Sequence, residues 1–229
     1  MQADWRKRRS ALSVVAIVSA FISVVGCASD SGEKTAGEQR AGAAVSGLKE
    51  TRAELMSGKA QIDKTVAAMN ALRDGQGQLP TEFATFNAEL KKTEAQAAKT
   101  RARAADMRAR SSEYQSKWRQ EVGKIDDPAL RAAANARAEK VRERYDGIAA
   151  KAGEARAAYE PFMKQLKNVQ TYLSNDLTPA GVQSAGDVFD RATADGKTVG
   201  EKIDAVIAEL DDVASNLSGA APSAKPAPK

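Results

Sequence analysis

The chain of 229 residues contains no histidine and only one cysteine, Cys27. Without imidazole there is no Ser-His-Asp triad, no Cys-His nucleophile pair and no His-bearing zinc site. A single thiol also excludes an internal disulfide. Most routes to catalysis close at this point, and the chain reads as a non-enzyme with no metal and no cofactor. Aromatic residues are scarce as well, at 5% of the chain. With alanine abundant, that shortage suits slender, closely packed helices better than a broad globule. The formal charge of +5 is concentrated at one end. Residues 1–26 hold four bases and one acid, leaving 31 bases and 29 acids, a net +2, in the remainder. Nucleic acid is therefore not an expected partner.

What is present begins with residues 5–27, around which the chain is organised. Arg6, Lys7, Arg8 and Arg9 precede an apolar run over residues 11–25, and Val24-Val25-Gly26-Cys27 ends it. A basic segment, a short apolar segment and small residues at a cleavage point make a secretory signal. The stretch 24–27 resembles the lipobox of bacterial lipoproteins. That resemblance implies that the Cys27 thiol is diacylated, the signal removed and the new amino terminus acylated. The alternative is an uncleaved membrane helix. Residues 11–26 span about 24 Å at 1.5 Å per residue, short of the roughly 30 Å hydrocarbon core. The expected domains are a signal at 1–26, a flexible tether at 27–42, a helical bundle at 43–218 and a disordered Pro/Ala/Lys tail at 219–229. By the sorting rule of enteric lipoproteins, Ala28 and Ser29 after the cysteine favour the periplasmic face of an outer membrane.

The bundle is read from heptads. Leu48, Leu55, Ile62 and Met69 form the first seam, which residues 74–77 (DGQG) interrupt. Phe83, Leu90, Ala97, Ala104, Ser111, Trp118 and Ile125 form the second, with Phe86, Met107 and Tyr114 on the companion row. Asp126-Asp127-Pro128 then supplies an acidic cap and a proline at the first helical position, which predicts a tight antiparallel hairpin between the second and third helices. The third helix carries Ala134, Val141, Ile148, Ala155, Phe162 and Val169 on one row, and Ala138, Tyr145, Ala152, Tyr159, Leu166 and Leu173 on the other. Pro161 interrupts the hydrogen bonding but not the heptad, so a kink is expected rather than a stop. The fourth runs over residues 179–217, with its first half weakened by Gly186, Gly196 and Gly200. The predicted fold is all-α: an elongated antiparallel four-helix bundle, or coiled coil, of up-down-up-down connectivity.

Residues 114–213 look like a bacterial family of helical envelope proteins catalogued only as a domain of unknown function. Trp118, Glu121, Ile125, Leu130, Arg144, Tyr145, Pro161, Tyr172, Leu173, Leu177 and Val182 carry the resemblance. Where the family reads Lys-His-Asn-Leu-Asn, this chain has Ser174, Asn175, Asp176, Leu177 and Thr178. The resemblance implies the helical architecture and an envelope location, and it supplies no activity.

Candidate sites follow from charge. Arg103, Arg110, Lys117 and Lys124 recur every seven residues beside the second seam, making a candidate anion- or partner-binding surface. Residues 81–125 hold ten bases and six acids, whereas 179–217 hold three and eight. The excess bases are therefore expected to meet Glu201, Asp204, Glu209 and Asp211 of the fourth helix. Asp126-Asp127 reads as a cap and Asp211-Asp212 as a solvated face, because adjacent helical residues point in different directions. Trp118 and the tyrosines at 114, 145 and 159 read as core. The expected function is a lipid-anchored helical spacer, scaffold or partner-binding module, with the membrane, an envelope protein or a cell-wall polymer as partner. The alternative is a carrier of an apolar or amphipathic ligand, held between helices loosened near Pro161 and the fourth-helix glycines.

Overall fold

The computed structural model describes residues 35–75 and 78–218, all helix and short connections with no strand among them. The helices are α1 (Ala36–Asp74), α2 (Leu79–Val122), α3 (Pro128–Asn175), α4 (Pro179–Ser184) and α5 (Gly186–Ser218). Together α4 and α5 make the fourth arm of the predicted bundle. The signal, Cys27, the first part of the tether, Gly77 and the tail lie outside the described residues.

Local chemistry sets the helix ends. The tether gives way to helix at Ala36, earlier than the apolar period indicates, because Thr35 and Glu38 form a reciprocal capping box. The Thr35 hydroxyl accepts from the Glu38 amide at 3.2 Å, and the Glu38 carboxylate accepts from the Thr35 amide at 2.8 Å. Such a box satisfies amide donors that the helix itself leaves unpaired. Asp127 caps α3 by accepting from the Leu130 amide at 2.8 Å, with Pro128 at the first position. The structure corrects the single fourth helix. Thr178 caps α4 through the Gly181 amide at 3.0 Å. Ala185 then takes a non-helical conformation, φ −85° and ψ 0°. Its N–H still reaches the Gly181 and Val182 carbonyls, and its own carbonyl accepts from Val188 and Phe189. The path therefore continues with one irregular residue.

Interhelical pairs reveal the arrangement. Along α1 and α5, Arg73 meets Asp190, Asn70 meets Thr193, Lys59 meets Asp204 and Arg52 meets Asp211. Numbers rise on one helix as they fall on the other, so the two are antiparallel neighbours. The same ordering joins α1 to α2, where Thr65 meets Thr93 and Glu50 meets Arg103, and α3 to α5, where Glu154 meets Lys202 and Arg144 meets Asp212. Helix α1 thus lies between α2 and α5, and α5 between α1 and α3. Closing the ring are the α2–α3 pairs Glu94–Lys167 and Asn87–Gln170, both near one end.

The core is the set of seams foreseen from the heptads. Leu48, Leu55, Ile62, Met69, Phe86, Leu90, Ile148, Phe162, Leu166, Phe189, Val206 and Leu210 are buried together. Helix α3 continues through Pro161, and Phe162 beside it is fully buried. Of the fourth-arm glycines, Gly196 tightens the packing, whereas Gly186 has open space beside it. Gly196 occupies the seam position between Phe189 and Ile203, where an added Cβ would stand 2.8 Å from a Val66 methyl and 3.1 Å from the Phe162 ring. Its missing side chain is what lets α1, α3 and α5 approach one another there.

Candidate functional site

The predicted tight hairpin between α2 and α3 is the part of the bundle that opens. Its connection, residues 123–127, is short, and the two helices meet at the Arg137–Trp118 contact near that turn and at the Glu94–Lys167 and Asn87–Gln170 pairs towards the other end. Between them lies a cleft of about 980 Å³, within the range typical of small-molecule sites. Its walls carry Ala97 and Ala104 on α2 and Ala149, Ala152 and Ala155 on α3. Methyl side chains at these positions, of which Ala97, Ala104, Ala152 and Ala155 lie on the seams, do not reach across the gap. Leu55 and Ile62 of α1, with Val199, Ile203 and Val206 of α5, form an apolar floor, and Met107, Ile148 and Met163 line its sides.

Two phenols enter this apolar space. Tyr145 is 8% exposed, and neither its hydroxyl nor that of Tyr159 makes a hydrogen bond among the described residues. Burial pushes the pKa of each up to about 12. The neighbouring Tyr114 adds to the rise at Tyr145, while the Arg101 guanidinium opposes it at Tyr159. Arg101, Arg108 and Lys164 stand at the rim and make no ion pair among the described residues. The other charged rim residues are matched: Arg156 with Glu160 at 3.2 Å, Lys167 with Glu94 at 2.8 Å, and Asp146 with Arg142 at 3.1 Å. The arrangement combines an apolar trough, two unpaired hydroxyl donors and surplus positive charge. It can bind an apolar chain and an acid group, but it assembles no nucleophile with a base.

The basic row sits elsewhere, and the structure corrects its expected partners. Arg103 and Arg110 converge on Glu50 of α1 at 2.8 and 3.9 Å. Lys117 and Lys124 pair with Glu113 and Glu121 on their own helix at 2.6 and 3.0 Å. None meets the fourth arm, because α2 and α5 lie diagonally across the core and only adjacent helices of a bundle exchange flanking charges. The acids of α5 are taken by its actual neighbours instead. Asp211 meets Arg52 of α1 at 2.9 Å, Asp204 meets Lys59 of α1, and Asp212 meets Arg144 of α3. Asp211 and Asp212 therefore pair with two different helices while both side chains stay 45% exposed, in keeping with the solvated reading. Glu209 rests against α3 at Gly147.

Of the remaining candidates, Asp127 caps α3 as expected. Trp118 is half-buried against Tyr114, with ring centroids 5.6 Å apart, and Arg137 lies 5.9 Å from the Trp118 ring centre. Cys27 lies outside the described residues. Among those residues, no group of three or more His, Cys, Asp and Glu side chains is placed to hold a metal ion, and no helix is long and apolar enough to cross a membrane.

No curated protein and no solved structure matches the chain. A family model described as "Protein of unknown function (DUF2959)" does match, over residues 30–217. The match takes in the described bundle up to Leu217 and extends well beyond residues 114–213, in which a likeness was legible. The chain accordingly belongs to this family of proteins of unknown function.

Proposed function

We propose that this protein is a non-enzymatic envelope lipoprotein, anchored through Cys27 at the periplasmic face of an outer membrane, whose bundle carries an apolar or amphipathic ligand. One observation favours the carrier over a plain spacer. A rod needs a continuous, filled seam, whereas here about 980 Å³ stands open over an apolar floor between α2 and α3. In this reading the ligand lies along the α2–α3 gap rather than at Gly196, which is tightly enclosed. The spacer and scaffold reading rests on length: the 48 residues of α3 span about 72 Å at 1.5 Å per residue.

Native mass spectrometry of the processed protein tests the carrier. Adducts with the mass of an apolar-chain compound are expected, and Ala152→Phe, which fills the trough, should abolish them. A spectrum of bare protein from freshly broken cells would return the spacer reading to first place. The anchor is tested separately: Cys27→Ser should remove label from a fatty-acid analogue fed to cells, and persistent label defeats it.

A further inference from the structure

The cleft is long enough to take an extended chain. It runs along α2 from Thr93 to Gln115, about 33 Å at 1.5 Å per residue. Spread over that length, its volume leaves a mean cross-section of roughly 30 Å². An extended hydrocarbon chain, whose neighbours stand about 4 Å from its carbons, needs under about 20 Å². The trough therefore accepts an extended alkyl chain along its length.

Polar groups at the cleft select the other end of the ligand. The carboxylates nearest the rim are engaged: Asp146 by Arg142, Glu160 by Arg156 and Glu94 by Lys167. Arg101, Arg108 and Lys164 are left with no carboxylate partner among the described residues, all on the same opening. Tyr145 supplies a hydroxyl on a side chain more than nine-tenths buried and unpaired within the protein. Unpartnered cations at the mouth of an apolar trough, one of them, Arg101, close enough to act on the Tyr159 phenol, mark a place for an acceptor that carries negative charge.

We propose that the α2–α3 cleft binds a single-chain anionic amphiphile, its acid group held at the rim by Arg101 and Arg108 and its chain laid over Leu55, Ile62, Ile148 and Ile203. This rests on the carrier reading and names the class of ligand. A fatty-acid carboxylate and the phosphate of a lysophospholipid share the required chemistry.

Photoaffinity labelling of the full chain in a nonionic detergent tests it, with a diazirine-bearing palmitate and a diazirine-bearing neutral monoacylglycerol as probes. Mapping the crosslinked peptides separates the cleft, residues 93–115 and 145–164, from the apolar run at 11–25. The palmitate probe should label the cleft at least tenfold more than the neutral probe. Arg101→Glu with Arg108→Glu should reduce palmitate labelling at least tenfold and leave the weak neutral labelling unchanged. Excess palmitate or lysophosphatidylglycerol should compete. Whichever competes better identifies the source of the acid group, and either result supports the proposal. Equal labelling by the two probes overturns headgroup recognition while leaving a carrier of apolar chains. Absence of cleft labelling by both removes the carrier reading and this proposal with it.

Discussion

At the scale of single residues, Gly196 shows how a position that weakens a helix in isolation strengthens a bundle. Glycine costs a helix about 1 kcal/mol relative to alanine, yet a Cβ here would collide with Val66 and Phe162. Overpacking of this kind costs about 1–3 kcal/mol. Gly196→Ala should therefore lower stability by up to about 2 kcal/mol net. Gly153→Ala, on an exposed stretch of α3 with no atom within 4 Å of the added Cβ, should raise it by about 0.5–1 kcal/mol. Urea denaturation midpoints of the two variants should move in opposite directions. The cleft tyrosines make a second case. In the unfolded chain a phenol ionises near pH 10, whereas burial holds Tyr145 and Tyr159 up to about 12. Between these values the unfolded state binds fewer protons, so stability falls as pH rises from 10 towards 12. Tyr145→Phe combined with Tyr159→Phe should flatten that decline, as measured by urea midpoints at pH 9 and pH 11.5.

At the scale of elements, the seams were readable because burial on a helix recurs with the heptad. Of the twelve third-helix positions picked out from the pattern, six are buried and six half-buried in the structure, and none is exposed. The α1 start and the Ala185 irregularity were not readable in this way. Caps depend on a few side-chain hydrogen bonds and leave the apolar period unchanged. The α1–α2 seam also contains a buried polar pair: Thr65 and Thr93, both nearly solvent-free, share a hydrogen bond of 2.6 Å. Thr65 has the Gln61 and Glu89 carbonyls as further acceptors, at 3.0 and 3.2 Å. No other hydrogen-bond partner of the Thr93 hydroxyl occurs among the described residues. Thr65→Val therefore strands a buried hydroxyl and should cost about 1–3 kcal/mol. Thr93→Val should cost less, and the double variant should recover most of the Thr65→Val loss. A thermal-unfolding cycle measures all three, and additive losses would show that the pair is not coupled.

At the scale of the whole molecule, four antiparallel arms return the chain to the end where it began. With Cys27 replaced, spin labels at Ala43→Cys and Ser218→Cys should lie within about 25 Å, the separation of neighbouring bundle helices. A distance near the length of α3 would mean that the α1–α5 ladder opens in solution. Placement around the core also decided which charges meet. Formal counts gave α2 an excess of bases and α5 an excess of acids, but Arg52, Lys59 and Arg73 of α1 and Arg144 of α3 take the α5 acids. Net charge carries no information about which helices are adjacent.

The sequence by itself determined the all-helical class, the four arms, nearly every buried seam residue and the cap at Asp127, because each depends on periodicity or on neighbours within one turn. Only the tertiary structure decided that α2 and α5 are diagonal, that Gly196 is a point of closest approach and that α2 and α3 stand apart. Ala97, Ala104, Ala152 and Ala155 satisfy a heptad as well as leucine does, and the period is blind to side-chain volume. Whether facing alanines draw two helices together or leave a trough depends on how the other pairs are held. Here α1 with α2 and α3 with α5 are locked along their lengths by larger side chains and interhelical polar pairs, and the α2–α3 gap remains between them.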